Sequence, residues 1–129
     1  MNKEEIKTIG APEAIGTYSQ AIRCGDMVYL SGQIAINPQT GETVTDSVAT
    51  EIHQIISNLS AVAKAAGGTL DHIIKLNVYM TNLNDFATLN EIMQEYFTTP
   101  YPARAAVGVA QLPKGVSVEI EGIMALQPL

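Results

Sequence analysis

Apolar residues keep two different rhythms along this chain, and the rhythms alternate. Val48, Ile52, Ile55, Ile56, Leu59, Val62, Ala63 and Ala66 step by three or four residues and form the stripe of an amphipathic helix. Asp46 or Ser47 can cap its start, and Gly67-Gly68 supplies a left-handed stop. A second stripe, Phe86, Leu89, Ile92, Met93, Tyr96 and Phe97, predicts a helix from Asn84 to Phe97.

Elsewhere the period is two. IIKLNVYM alternates, with Ile74, Leu76, Val78 and Met80 on one side and Lys75, Asn77 and Tyr79 on the other. AIRCGDMVYLSGQIAI reads as a hairpin that turns at Gly25-Asp26, and NPQTGE as a second turn. Lys7 to Ile9 is a candidate short strand, followed by APEAIGTYSQ, a loop punctuated by Pro and Gly. ARAAVGV and VSVEIEGIMAL close the chain as two further strands. The resulting order is ββαβαββ, an α+β domain with two helices packed on one face of a mixed sheet.

Such a sheet leaves its second face uncovered. In the last strand Val118 and Ile120 point one way, while Ser117, Glu119, Glu121 and Ile123 point the other. In the strand before it, Arg104, Ala106 and Gly108 share a face opposite Ala105, Val107 and Val109. The free face is partly polar, yet small and apolar enough to be a subunit contact, so self-association is expected.

Composition narrows the classes. At 129 residues, 47% apolar and 16% charged, the chain is expected to be one compact domain spanning 1–129. A net charge of −6 and scattered Lys and Arg give no basic patch, which argues against nucleic acid as a partner. One cysteine, Cys24, excludes an intramolecular disulfide. The N-terminus has no secretory or transit character and no apolar run reaches membrane-spanning length, so a cytoplasmic location is expected.

Against this ordinary background TTPYPARAAVGVA stands out, because Arg104 is a lone charge among small and apolar residues. An unpaired charge in a buried strand is expensive. Either Arg104 pairs with Glu119 or Glu121, or the room around it belongs to a small ligand. A guanidinium matches a carboxylate with two parallel hydrogen bonds, and the small side chains of Ala105, Ala106 and Gly108 leave space for a ligand of few atoms.

The stretches AIGTYSQA, SGQI, NDFATLNE, PARAAV and LPKGVSVEIEGIMAL occur in order, and over essentially the whole chain they resemble the RidA (YjgF) family. The resemblance implies a chorismate-mutase-like homotrimer with three ligand sites between neighbouring subunits. It implies hydrolytic deamination of reactive enamines and imines to 2-oxo acids and ammonia. The substrates would be 2-aminoacrylate/2-iminopropanoate and 2-aminocrotonate/2-iminobutanoate, released by PLP-dependent dehydratases. Neither a cofactor nor a metal is implied.

Carried over by position, the family's carboxylate-binding arginine is Arg104 and its acidic residue near the catalytic water is Glu119. The loop tyrosine is Tyr18, and Ser31, Gly32 and Asn90 line the same cleft. Where typical members read Ser-Cys-Val-Glu after the arginine, this chain reads Ala105-Ala106-Val107-Gly108. The backbone carbonyl that the family uses to hold water would therefore be that of Ala106, without a thiol beside it.

The chemistry is consistent with those residue types. A protonated imine is already electrophilic, so one carboxylate near water suffices as base or orienter. Each residue also has an ordinary alternative: Glu119 as a solvated strand residue, Tyr18 as loop packing, Ser31-Gly32 as turn chemistry, Asn90 as a local backbone bridge. Cys24, His53 and His72 have no recognisable catalytic neighbour, and Met80, Met93 and Met124 fall on core positions. Two other functions compete. One is a non-catalytic module that binds a small 2-oxo acid, and the other, less favoured, is an endoribonuclease or translation inhibitor.

Overall fold

The computed structural model describes residues 2–126 of the chain. Six strands, β1 (Lys3–Ile6), β2 (Ala21–Cys24), β3 (Met27–Gln33), β4 (Ile73–Met80), β5 (Ala103–Gly108) and β6 (Val118–Ala125), form one sheet. Its spatial order is β1-β2-β3-β6-β4-β5, and every pairing is antiparallel except the parallel β4–β5 edge. Helix α1 (Val48–Ala65) and helix α2 (Phe86–Tyr96) pack against each other, and α1 against β3 and β6.

The stripe of α1 explains its placement. Ile52, Ile55, Ile56, Leu59 and Val62 are almost fully buried, each such side chain contributing roughly 1.5–3 kcal/mol relative to exposure. Of the two candidate caps, Ser47 does the work: its Oγ accepts the Thr50 N–H at 3.0 Å. At the other end Gly67 adopts φ +97° and the Gly68 N–H returns to the Ala63 carbonyl at 3.0 Å. In the sheet, Leu76, Val78 and Met80 of β4 and Val118, Ile120 and Met124 of β6 meet the helices. The opposite face, open, carries Lys75, Asn77, Tyr79, Glu119, Glu121 and Ile123.

Two expectations are corrected. The first strand is Lys3–Ile6, not Lys7–Ile9, and the observed order is βββαβαββ rather than ββαβαββ. Its four residues bury only Ile6, and backbone pairing with β2 defines it, which apolar rhythm does not report. Ile9 instead lies fully exposed in the loop that follows. Ile74 also changes sides: the β4–β6 register slips between Ile73 and Lys75, so Ile73 is buried and Ile74 is half exposed.

Buried polar residues tie the irregular parts to this frame. Gln20 accepts the Thr8 N–H at 2.7 Å and donates to the carbonyls of Thr8 and Pro12 at 3.0 and 2.8 Å, which folds the loop bearing Tyr18 back on itself. Glu51, buried in the first turn of α1, accepts the Ser117 N–H at 2.9 Å and so fixes the entry to β6. Among the described residues, no helix is long and apolar enough to cross a membrane.

Candidate functional site

Arg104 pairs in register with Leu76, so its side chain leaves β5 on the helix-covered face. There it meets α2. Nη1 donates to Asn90 Oδ1 at 2.7 Å and lies 3.4 Å from Met93 Sδ, while the guanidinium carbon sits 5.0 Å from the Phe86 ring centroid. Phe86, Asn90 and Met93 are spaced by four and three residues, one face of a helix. They grip one corner of the guanidinium. Among the described residues, its Nε and Nη2 donate to no protein group, and no carboxylate pairs with it.

Ala106 shares the face with Arg104 and packs against the core. Gly108 ends the strand, where an added Cβ would touch the Leu83 side chain at 3.4 Å. Because β5 is the sheet edge, no further strand flanks Arg104 among the described residues.

Glu119 lies on the other side of the sheet. It pairs in register with Tyr79 and its carboxylate rests on Gly32, where a Cβ would collide with it. Gly32 is available because β3 bulges: Leu30 pairs with Gly122 and Gln33 with Ile120, so Ser31 and Gly32 together face Glu121. Ser31 anchors the bulge to the tyrosine loop, its N–H donating to Gln20 O at 3.0 Å and its Oγ to Ser19 O at 2.5 Å. An open cleft of about 530 Å³ follows this seam, lined by Tyr18, Tyr29, Ser31, Gly32 and Glu121. A larger depression of about 680 Å³ lies beyond Tyr18, among Lys7, Ile9 and Glu13, and contains neither Arg104 nor Glu119.

Electrostatics sets Glu119 apart. Burial, and after it the nearby Glu121 charge, push its carboxyl above the usual range. Glu121 is held by donors instead: the Tyr79 hydroxyl at 3.2 Å and Asn77 Nδ2 at 3.3 Å. Burial, followed by that contact with Glu121, raises Tyr79 as well.

The structure therefore groups the sequence candidates into two sets. Tyr18, Ser31, Gly32 and Glu119 line one seam of the open face; Arg104, Asn90 and Ala106 belong to the helix face. A salt bridge from Arg104 to Glu119 or Glu121 within one chain is ruled out, because the sheet separates them. Asn90 does not bridge backbone; it accepts from Arg104.

Phe86 and Met93 read in the sequence only as core stripe, and the Phe86-Asn90-Met93 spacing was the one available sign of a shared task. The Tyr79–Glu121–Asn77 contacts require knowledge of strand register. Both histidines are partly exposed and hydrogen-bonded to neighbours. His53 Nδ1 is 2.6 Å from the Tyr96 hydroxyl, and His72 Nδ1 accepts the Thr69 N–H at 3.0 Å.

Comparison with known proteins gives a consistent outcome. Residues 8–126 match the family model described as Endoribonuclease L-PSP. The chain is 46% identical over 125 residues to a protein of Dermatophagoides farinae named 2-iminobutanoate/2-iminopropanoate deaminase, covering 97% of this chain and 98% of that one. It superimposes on a crystal structure of RidA from an Antarctic Psychrobacter with a TM-score of 0.93 at 47% identity, covering 95% and 99%. It also superimposes on Escherichia coli TdcF with bound serine, with a TM-score of 0.90 at 44% identity, covering 96% and 99%. On this full-length likeness the chain belongs to the RidA (YjgF, Endoribonuclease L-PSP) family.

Proposed function

We propose that this protein hydrolyses small 2-imino acids and their enamine tautomers to 2-oxo acids and ammonia, in a cleft formed between copies of the chain. The observation that carries the reading is the state of Arg104. Its guanidinium is oriented by Asn90, Met93 and Phe86, yet its Nε–Nη2 edge donates to no protein group among the described residues. That edge is a planar fork of the kind that binds a carboxylate with two charge-assisted hydrogen bonds.

With the substrate carboxylate on Arg104, the imine carbon faces outward. Glu119 from the open face of a neighbouring copy completes the site. Glu119 takes a proton from water as the oxygen bonds to that carbon, giving a carbinolamine. It then passes the proton to the amine. Ammonia leaves with the C–N electron pair, and the hydroxyl proton returns to it through Glu119. A carboxyl held above its usual range is the stronger base for the first step and, once protonated, still a competent acid for the second. The Ala106 carbonyl orients the water and Tyr18 closes the cleft over the nitrogen.

Assembly follows from the same geometry. Arg104 and Glu119 leave opposite faces of one sheet, so a site that uses both needs a second copy. The open face offers Tyr29 and Val107, exposed by 51% and 46%, for that contact. A homotrimer of the kind the family resemblance implies satisfies both requirements. The imines would come from PLP-dependent dehydratases acting on hydroxy amino acids, and no cofactor takes part.

The test is a coupled assay. The purified protein, added to a serine or threonine dehydratase, should accelerate 2-oxo acid release. Arg104→Ala, with its assembly checked, should abolish the acceleration. A wild type that gives none at ample concentration rejects the proposal.

A further inference from the structure

Glu121 is a carboxylate that the proposed reaction does not use, yet two neighbours are devoted to holding it. It follows Glu119 by two residues on the open face, which places the two Cα atoms about 7 Å apart along the strand. In register, Asn77 faces Glu121 and Tyr79 faces Glu119. Tyr79 nevertheless passes over its own register partner: its hydroxyl donates diagonally to Glu121 Oε1 at 3.2 Å, and Asn77 Nδ2 donates to Oε2 at 3.3 Å. Both oxygens of Glu121 thus accept from fixed side-chain donors. Glu119, half-buried against Gly32, receives no donor among the described residues. Two like groups thus stand side by side, one served by fixed donors and one not, and such an asymmetry divides their roles.

We propose that Glu121, clamped by Tyr79 and Asn77, is a positioning residue that makes Glu119 the proton-exchanging member of the pair. The inference rests on the deaminase reading for its chemistry, and its geometry stands apart from it. The clamp holds the Glu121 carboxylate in place beside Glu119, and a charge there opposes ionisation of Glu119. The upward direction found for Glu119, from burial first and Glu121 second, agrees with this.

Other groups facing Glu119 do not substitute for Glu121. From β4 come Tyr79 and, four register positions away on the same face, Lys75, which lies opposite Ile123. From β3 comes Gly32, beneath the carboxylate, and the cleft beside it is lined by uncharged Ser31 and by Tyr18. In the assembled protein, Arg104 of a neighbouring copy adds a cation. Wild type and variants must therefore be compared in the same assembly.

The experiment is a carboxyl-carbon NMR titration of the assembled protein with labelled glutamate, the Glu119 resonance assigned by its loss in Glu119→Gln. In Glu121→Gln the Glu119 midpoint should move to lower pH, and the acidic limb of the kcat/KM profile should move with it. Glu121→Asp, which keeps the charge, should hold both closer to wild type. In Arg104→Ala, where the neighbouring cation is gone and the assembly is confirmed, added salt should lower the Glu119 midpoint. A midpoint unmoved by Glu121→Gln, or by salt in Arg104→Ala, overturns the inference. A midpoint that moves in a protein without turnover supports the coupling and rejects the deaminase reading instead.

Discussion

Arg104 presents a cation whose orientation is fixed by neighbours that do not neutralise it. Asn90 and Met93 engage one amine and Phe86 supports the plane, so the fork is pre-set before a ligand arrives. A lysine would keep the charge and lose the paired geometry. Hydrogen bonds to charged groups are worth about 1.5–3 kcal/mol, so Arg104→Lys should weaken 2-oxobutanoate binding by about tenfold or more, measured by calorimetry. Affinity within twofold of wild type would remove the bidentate anchor from the account.

Glu119 yields a prediction of opposite character. Its carboxyl is raised in the folded protein, so the folded state binds more protons than the unfolded one across the intervening pH range. The favourable contribution is present below the ordinary carboxylate range and is lost as pH rises through the raised value. Glu119→Gln should therefore melt higher than wild type at neutral pH, with the gap closing in acid. Thermal scans at several pH values check the sign. Of these residues, Arg104 was legible in the sequence as a charge among small neighbours. Its support was not, because a helical stripe does not reveal which strand it covers.

At the scale of elements, the β3 bulge does most to shape the Glu119 seam. Its two residues face one on β6, which brings Gly32 beneath the Glu119 carboxylate with no side chain between. Gly32→Ala meets only the far end of a flexible side chain, so the fold should survive with a melting temperature near wild type. Turnover should drop more than tenfold as the carboxylate is displaced, a distance-sensitive loss. Loss of the Ser47 cap should do the reverse: Ser47→Ala removes about 1 kcal/mol of stability, roughly 4 °C in melting temperature, with kcat unchanged.

The helices were legible because Ile52, Ile55, Ile56 and Leu59 obey a long, regular period and end at recognisable caps. The strands were less so. Lys3–Ile6 pairs through backbone and buries one side chain, and the slip at Ile74 is invisible to a period of two. Bulges change which residue faces which, and that information lies in the partner strand rather than in the segment itself.

At the scale of the whole molecule, the placement of Arg104 and Glu119 on opposite faces of the sheet governs how the proposed site can be built. In the sequence, Arg104 stood out by its local pattern, and Tyr18, Gly32 and Glu119 were named through the family resemblance. Neither signal could place Arg104 and Glu119 on opposite faces, because that depends on the β4–β5 and β4–β6 registers together. A charge on the open face should disturb assembly without touching Arg104. Val107→Glu is expected to give a folded monomer by light scattering and to lose activity with it. The most direct test of a shared site is subunit mixing. Arg104→Ala and Glu119→Gln, each inactive alone, are unfolded and refolded together at equal amounts, and co-assembly is confirmed by mass. If each site takes Arg104 from one copy and Glu119 from the next, about a quarter of the sites in the mixture are intact and activity returns in proportion. Mixed assemblies as inactive as their parents, beside an active wild type, would contradict the account.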